Sequence, residues 1–358
     1  LTYIFFSLFF LLKIFSFSDY GISIDEDNTR LNGFVSLKYI LEIFNPRSID
    51  ALNKIIDVPN INEFSEKGIG VIYDLPLAFL EFIFQINDSR NYYLLRHFFN
   101  FLFYFVGVCF FYLLVKRRFN SWLMGLVGAL FLIVTPRLFA ESFYNNKDLV
   151  FLSLFIICLY TSITFLENPT YKNVVVFSIT SSLAIDIRII GIIIPILIFF
   201  FYFVNSLEKK ETKYTALKIS TLFIFSSIFF IVLFWPYLWD DPFTKFFQIF
   251  KSLSNYNTRI YNFYLGDYVS AKTLPWHYSV VWQVVTIPIL YIFLFLFGFF
   301  KIIRKLFKRF NSIETNESFK DIWKTKEELQ DLVFLSTYFV PLFAVISFNS
   351  TLYDGWRH

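Results

Sequence analysis

Three successive acids, Asp25-Glu26-Asp27, stand just after one apolar block and just before a segment of helical pattern. Acids ahead of a helix satisfy free N–H groups and the positive end of the macrodipole, and Asn28 or Thr29 can do the same. Three in a row exceed what capping needs, so the run is also a candidate for general-base chemistry on a hydroxyl at a membrane surface. A second polar group, Thr135-Pro136-Arg137, Glu141 and Asn145-Asn146-Lys147-Asp148, directly precedes another apolar block. Alone, Asp148 reads as a cap and Lys147 as a snorkelling side chain. If this loop opens on the same side as Asp25, two carboxylates from separate loops can meet over one cavity.

A third candidate, Asp186-x-Arg188, lies inside an apolar block, where ionisable groups are costly and usually face the bundle interior or a polar path. Residues two apart do not share a helical face, so separate partners are expected, with Arg188 available for a phosphate. Lys13, near the end of the first block, reads as a snorkelling residue. The stretch from Trp235-Pro236-Tyr237-Leu238-Trp239 through Tyr264-Leu265-Gly266-Asp267 to Leu274-Pro275-Trp276-His277-Tyr278 suits an aromatic belt. A belt accounts less well for Gly266 and His277, and aromatic rings with interspersed polar groups also suit a sugar face. A last polar run, Tyr353-Asp354-Gly355-Trp356-Arg357-His358, contains a further cation. The histidines at 97, 277 and 358 share no metal-ligand spacing. No phosphate-binding glycine loop or dinucleotide fingerprint is present, which argues against a nucleotide-driven pump or a redox enzyme.

The elements that must position these residues are apolar. Of 358 residues, 56% are hydrophobic and 17% charged, which excludes a disordered chain, a nucleic-acid-binding arm and an ordinary cytosolic enzyme. Nine blocks of near-spanning length fall at about 1–17, 94–115, 121–136, 149–166, 174–189, 190–205, 216–236, 282–300 and 331–348. The expected fold is therefore all-α: one polytopic transmembrane helical bundle of about nine spans, 1–358, with both ends expected to be cut. Cations concentrate at Lys116, Arg117, Arg118, Lys172, Lys209, Lys210, Lys213, Lys218 and between Lys301 and Lys326. The positive-inside rule then puts 18–93, 137–148, 237–281 and 349–358 outside, in a bacterium the periplasm. In the long first outer loop, Leu31–Phe44 sets Phe34, Leu37, Leu41 and Phe44 on one face. Asp74–Ile86 behaves alike with Asp74 as N-cap, and both read as interfacial helices on the outer leaflet. Cys109 and Cys158 lie in apolar blocks and form no disulfide framework.

An acidic pair after the first span, amphipathic helices in a long first outer loop, the Pro136-Arg137 to Asp148 loop and the Trp235–Trp239, Leu274–Tyr278 and Tyr353–His358 runs together form a pattern. It resembles the GT-C superfamily of membrane glycosyltransferases, in the branch of protein O-mannosyltransferases and lipid A aminoarabinose transferases. The resemblance implies a polyprenyl-phosphate sugar donor, an envelope lipid, polysaccharide or protein acceptor, and a site at the periplasmic face of the inner membrane. It implies Asp25 as base with Glu26 beside it, and Asp148 as the second loop acid, holding the acceptor or the base. Arg188, Arg137 and Arg357 are the phosphate candidates, and Lys147, Trp276, His277 and Tyr278 the substrate-binding ones. A divalent cation, Mg or Mn, on Asp25, Asp27 and Asp148 ranks below a metal-free site. The competing class is a lipid or polysaccharide flippase in which Asp186 and Arg188 line the path.

Overall fold

A computed structural model describes residues 1–208, 213–254, 260–311, 323, 325–347 and 352. The described chain forms two compact units, one of Leu1–Pro195 with Lys213–Phe246 and one of Ile196–Thr212 with Phe247–His358.

The first unit begins with α1 (Thr2–Ser16), α2 (Glu26–Phe44), the short α3 (Ile49–Asn53) and α4 (Asp74–Phe84). It continues with α5 (Ser89–Phe119), α6 (Trp122–Val134), α7 (Pro136–Tyr144), α8 (Asp148–Glu167) and α9 (Tyr171–Ile187), then the start of α10 (Ile193–Glu208) and α11 (Lys213–Phe234). Local chemistry sets many boundaries. Asp88 caps α5 by accepting from the Asn91 N–H, and Thr170 caps α9 in the same way from Asn173. The helix α5 ends on Asn120 and α4 on Gln85, both left-handed at φ 49° and 52°. Between α6 and α7 the chain turns by 69° at Thr135-Pro136, where proline removes the helical N–H.

The 31-residue α5 is the organising element. Phe9 of α1 and Leu126 and Ala129 of α6 cluster with Tyr104 and Val108 of α5. A Cβ on Gly107 would stand 2.8 Å from the Ser153 side chain, so the missing side chain lets α5 and α8 cross closely. Phe165, Phe177 and Phe223 stack with their planes within 9° and tie α8, α9 and α11 together. Because α5 and α8 run in the same direction, Arg117 near the end of α5 reaches Thr164 and Glu167 near the end of α8, at 2.7 and 2.8 Å. Their opposite ends lie beside the acids of the first loop.

The second unit takes the rest of α10, most of α12 (Pro242–Ser254), strands β1 (Tyr261–Tyr264) and β2 (Asp267–Ser270), α13 (Tyr278–Thr286), α14 (Ile289–Asn311) and α15 (Lys326–Ser347). The strands pair antiparallel, Tyr264 opposite Asp267. Leu265 and Gly266, both at positive φ (51° and 100°), form the two-residue turn between them. This hairpin was not expected, and it accounts for Gly266. Tyr264, Tyr278 and Leu352 form a small core beneath it.

The all-α polytopic class is borne out, with a lower count. Among the described residues six helices are long and apolar enough to cross a membrane, or eight if the bent pairs α6–α7 and α13–α14 each count as one. The ninth expected span is α9, which at 17 residues measures roughly 26 Å and carries Asp186 in its last turn. The two first-loop helices also exist, but α2 starts five residues earlier than its apolar pattern. Phe34, Leu37 and Leu41 are buried, while Phe44 is exposed. The face expected to rest on lipid instead packs within the protein, with Gly33 so near α4 that a Cβ would fall 2.5 Å from the Asp74 carbonyl oxygen.

Candidate functional site

The turn that opens α2 divides its acids among different partners. The Ser23 N–H donates to Glu26 Oε2 at 2.6 Å, which ties the residues before α2 to its first turn. The other oxygen, Oε1, lies 3.0 Å from His97 Nε2 on α5. Glu26 is therefore 2% exposed, with both carboxylate oxygens beside groups of the protein. Asp27 accepts from the Tyr93 hydroxyl. Asp25, at the N-cap position, makes no capping hydrogen bond with its side chain and is half-buried.

Below this turn lies a buried ion cluster that sequence reasoning missed. Glu81 of α4 receives Arg30 Nε at 2.7 Å and Arg96 Nε and Nη2 at 3.0 and 2.9 Å. Arg96 Nη1 reaches Asp74 at 3.1 Å. Asp74 is thus not the simple N-cap expected: Tyr73 holds that position, and the Asp74 carboxylate also takes Asn146 Nδ2 at 3.3 Å. Burial pushes the Asp74 carboxyl up to about 6, although Arg96 and Lys147 pull it the other way. The guanidinium of Arg30 also faces the Tyr92 ring at 3.8 Å.

The second polar group forms a continuous chain. Arg137 Nε donates to Glu141 Oε1 at 2.6 Å, and Asn145 Nδ2 donates to both Glu141 Oε2 at 2.9 Å and Asp148 Oδ2 at 3.0 Å. Asn145 Oδ1 in turn accepts the Asp148 N–H at 2.8 Å. The remaining Asp148 oxygen pairs with Arg188 Nη2, while Arg188 Nε is buried without a hydrogen-bond partner. Three sequence candidates, Arg137, Asp148 and Arg188, are therefore joined through two residues, Glu141 and Asn145.

The segment carrying Asp25 lies against this chain. Ser23 Oγ donates to the Tyr144 carbonyl at 3.4 Å, Tyr20 stacks on Phe143 at 4.3 Å, and Asn146 Nδ2 donates to Thr29 Oγ1 at 2.6 Å. Asn145 and Asn146 thus send adjacent side chains into two networks, one holding Asp148 and one holding the α2–α4 pair. Lys147 stands 3.8 Å from Glu66.

Asp186 and Arg188 have separate partners, as their spacing requires. The Ile72 N–H donates to Asp186 Oδ1 at 2.7 Å, and a Cβ on Gly70 would fall 1.9 Å from the Asp186 carbonyl oxygen. The first loop therefore covers the end of α9. Lys13 departs from the snorkelling expectation. It is fully buried, donating to the Phe139 carbonyl at 2.8 Å and to Ser142 Oγ, with the Phe139 and Phe143 rings 3.7 and 3.9 Å from its ammonium. The helix α7 covers it and supplies acceptors that water would otherwise provide.

The aromatic candidates lie in the second unit. Tyr278 belongs to its core, His277 Nδ1 bonds Tyr264 Oη at 2.6 Å, and Trp276 is 71% exposed. Arg357 falls outside the described residues. Among the described residues no three His, Cys, Asp or Glu side chains are grouped to hold a metal ion. Of the trio suggested for one, Asp27 turns to Tyr93 and Asp148 to Arg188.

The buried residues that sequence reasoning passed over had a signal. Glu81 interrupts an apolar helix, and Arg96, His97 and Asn100 open an apolar span. The rule that singled out Asp186, that ionisable groups among apolar neighbours need partners, applies equally to them.

Residues 75–235, a little under half of the chain, match the family model of the dolichyl-phosphate-mannose-protein mannosyltransferases. The match runs from α4 to the end of α11, including Arg137, Asp148 and Arg188 but not Asp25. It bears out the resemblance to GT-C membrane glycosyltransferases and supports a polyprenyl-phosphate sugar as the class of donor. No curated protein and no solved structure matches the chain.

Proposed function

We propose that the chain transfers a hexose, mannose-like, from a polyprenyl-phosphate donor to a hydroxyl of an envelope lipid, polysaccharide or protein. The reaction takes place at the periplasmic face of the inner membrane. Asp25 is the general base: it takes the hydroxyl proton as the oxygen attacks the anomeric carbon. The bond between that carbon and the phosphate oxygen breaks, and the phosphate leaves with the electron pair. One displacement inverts the anomeric centre. Cations fixed before the reaction stabilise the charge growing on the phosphate, the electrostatic contribution that usually dominates such steps. Arg188 fills this role first and Arg137 second; Arg357 and the aromatic candidates Trp276, His277 and Tyr278 belong to the same proposal, as does Lys147.

The observation that carries this reading is the joining of Arg188 and Asp148 beside the segment that bears Asp25, within a chain whose middle matches a mannosyltransferase family. A flippase finds less support. Asp186, which would line its path, is covered by Gly70 and bonded to the Ile72 N–H. The test uses membranes that hold the full-length protein and labelled polyprenyl-phosphate sugars. Asp25→Asn should lower transfer at least a hundredfold, the lower end for loss of a general base. Retained transfer by Asp25→Asn removes Asp25 from the mechanism; no transfer by the wild type from any donor favours the flippase.

A further inference from the structure

The acid before α8 invites assignment as a second base or an acceptor ligand, but both of its carboxylate oxygens are engaged. Oδ1 meets Arg188 Nη2 and Oδ2 takes Asn145 Nδ2 at 3.0 Å, with the backbone N–H of the same residue held by Asn145 Oδ1 at 2.8 Å. A carboxylate held through both oxygens is oriented toward the guanidinium and the Asn145 amide rather than presented to a hydroxyl. Arg188, by contrast, spends Nη2 on Asp148 and keeps a buried Nε with no hydrogen bond. A buried N–H left unpaired costs about 1–3 kcal/mol, so its persistence calls for an explanation. Guanidinium is a planar fork with five donors suited to phosphate oxygens.

We propose that Asp148 is a positioning residue for Arg188, and that the two act as one recognition unit for the phosphate monoester or diester of a polyprenyl lipid. Asn145 completes the unit. Its amide N–H donates to Asp148 Oδ2 and Glu141 Oε2 together, which separates two carboxylates that would otherwise repel, and it fixes the rotamer from which Asp148 orients Arg188. The acceptor then meets Asp25 and not Asp148. This inference rests on the donor class proposed above and departs from it in taking Asp148 out of acceptor binding.

The two acids predict different kinetic signatures. In full-length protein in detergent, Asp148→Asn should weaken binding of a sugar-free polyprenyl monophosphate, and raise the donor KM, by about tenfold, the worth of one hydrogen bond to a charged group. The acceptor KM should stay within about twofold, because nothing in the unit touches the acceptor. Combined with Arg188→Met, Asp148→Asn should add no further loss, since a residue that acts through Arg188 has nothing left to position. Additive losses, or a raised acceptor KM with unchanged monophosphate binding, overturn the proposal. If Asp148→Asn fails to accumulate in membranes, Asp148→Glu keeps the charge but displaces it by one methylene and should give the same split. A wild type that binds no polyprenyl monophosphate refutes the donor class itself. A wild type that binds it as tightly as Asp148→Asn refutes only the positioning role.

Discussion

Replacing Glu81 with Gln tests whether the ion cluster beneath the α2 turn holds the first unit together. Glu81 is 0% exposed, and Arg30 and Arg96 send it three N–H donors at 2.7–3.0 Å. The two arginines and the two acids Glu81 and Asp74 balance one another; with glutamine, two guanidiniums share Asp74 alone and one positive charge stays buried. The new NH2 also has to face a guanidinium N–H, donor against donor. Removing one partner from a buried pair costs about 3–5 kcal/mol. At about 2–4 °C per kcal/mol for a unit of this size, the thermal midpoint should fall by roughly 6–20 °C. The assay is thermal unfolding of the detergent-solubilised protein, read by loss of the monodisperse peak on size exclusion. Arg137→Ala provides the comparison. Its partner Glu141 is an i,i+4 neighbour and its side chain is 40% exposed, so its loss should cost less than about 1 kcal/mol. If Glu81→Gln melts with Arg137→Ala, water or lipid headgroups already screen the cluster and the energetic reasoning fails.

Helices were legible wherever a period or a cap was local. The break at Thr135-Pro136 and the end of α2 at Asn45 follow from residues within a turn of the event, whereas α5 starts at Ser89 on an Asp88 cap, ahead of the apolar block expected from about 94. The start of α2 was misplaced because its first turn is polar and buried: Glu26, Thr29 and Arg30 carry no apolar period, yet each is below 10% exposed. What makes that turn helical and buried is distant in sequence, namely His97, Asn146 and Glu81.

The same distinction separates the candidate residues. Asp148, Arg137 and Arg188 could be singled out one at a time from charge and surroundings, but not the Glu141–Asn145 link between them. Asn145 carries no charge, and its importance comes from standing between two carboxylates. The acidic triplet is the reverse case, where three adjacent residues looked interchangeable. Folding gives Glu26 to His97 and Asp27 to Tyr93, and so leaves Asp25 with the more solvent-facing surroundings of the pair proposed for catalysis. One face of α5 does this sorting. Tyr93, Arg96, Asn100 and Tyr104 bond in turn to α2, α4, α7 and the end of α6, and His97 Nε2 lies 3.0 Å from Glu26 of α2. A site assembled from four chain segments is thereby referred to a single rigid helix, which holds geometry better than loops alone.

Three more perturbations follow from the same geometry. Gly70→Ala should cost at least about 3 kcal/mol, because its Cβ would overlap the Asp186 backbone and force the Ile72 N–H off its carboxylate, whereas Gly21→Ala, with nothing within 4 Å, should stay within about 0.5 kcal/mol. Equal unfolding midpoints for the two would contradict the close approach. Asp74 binds its proton more tightly folded, at about 6, than unfolded, near 3.8, so its contribution to stability is complete below the lower value and is lost as pH rises through the upper one. Chemical unfolding at pH 4.5 and 7.5 should show wild type losing about 2 kcal/mol relative to Asp74→Asn over that interval, and parallel pH curves would refute it. Lys13→Met should be close to neutral, within about 1 kcal/mol, because methionine fills the aromatic cage without a charge to desolvate and Ser142 Oγ already donates to the Phe139 carbonyl at 2.6 Å. Lys13→Glu should instead prevent accumulation of folded protein, since a carboxylate there faces carbonyl and hydroxyl oxygens and ring faces that repel it. A loss of about 3–5 kcal/mol for Lys13→Met would instead mean that the ammonium holds α7 by charge, as one partner of a buried ion pair does.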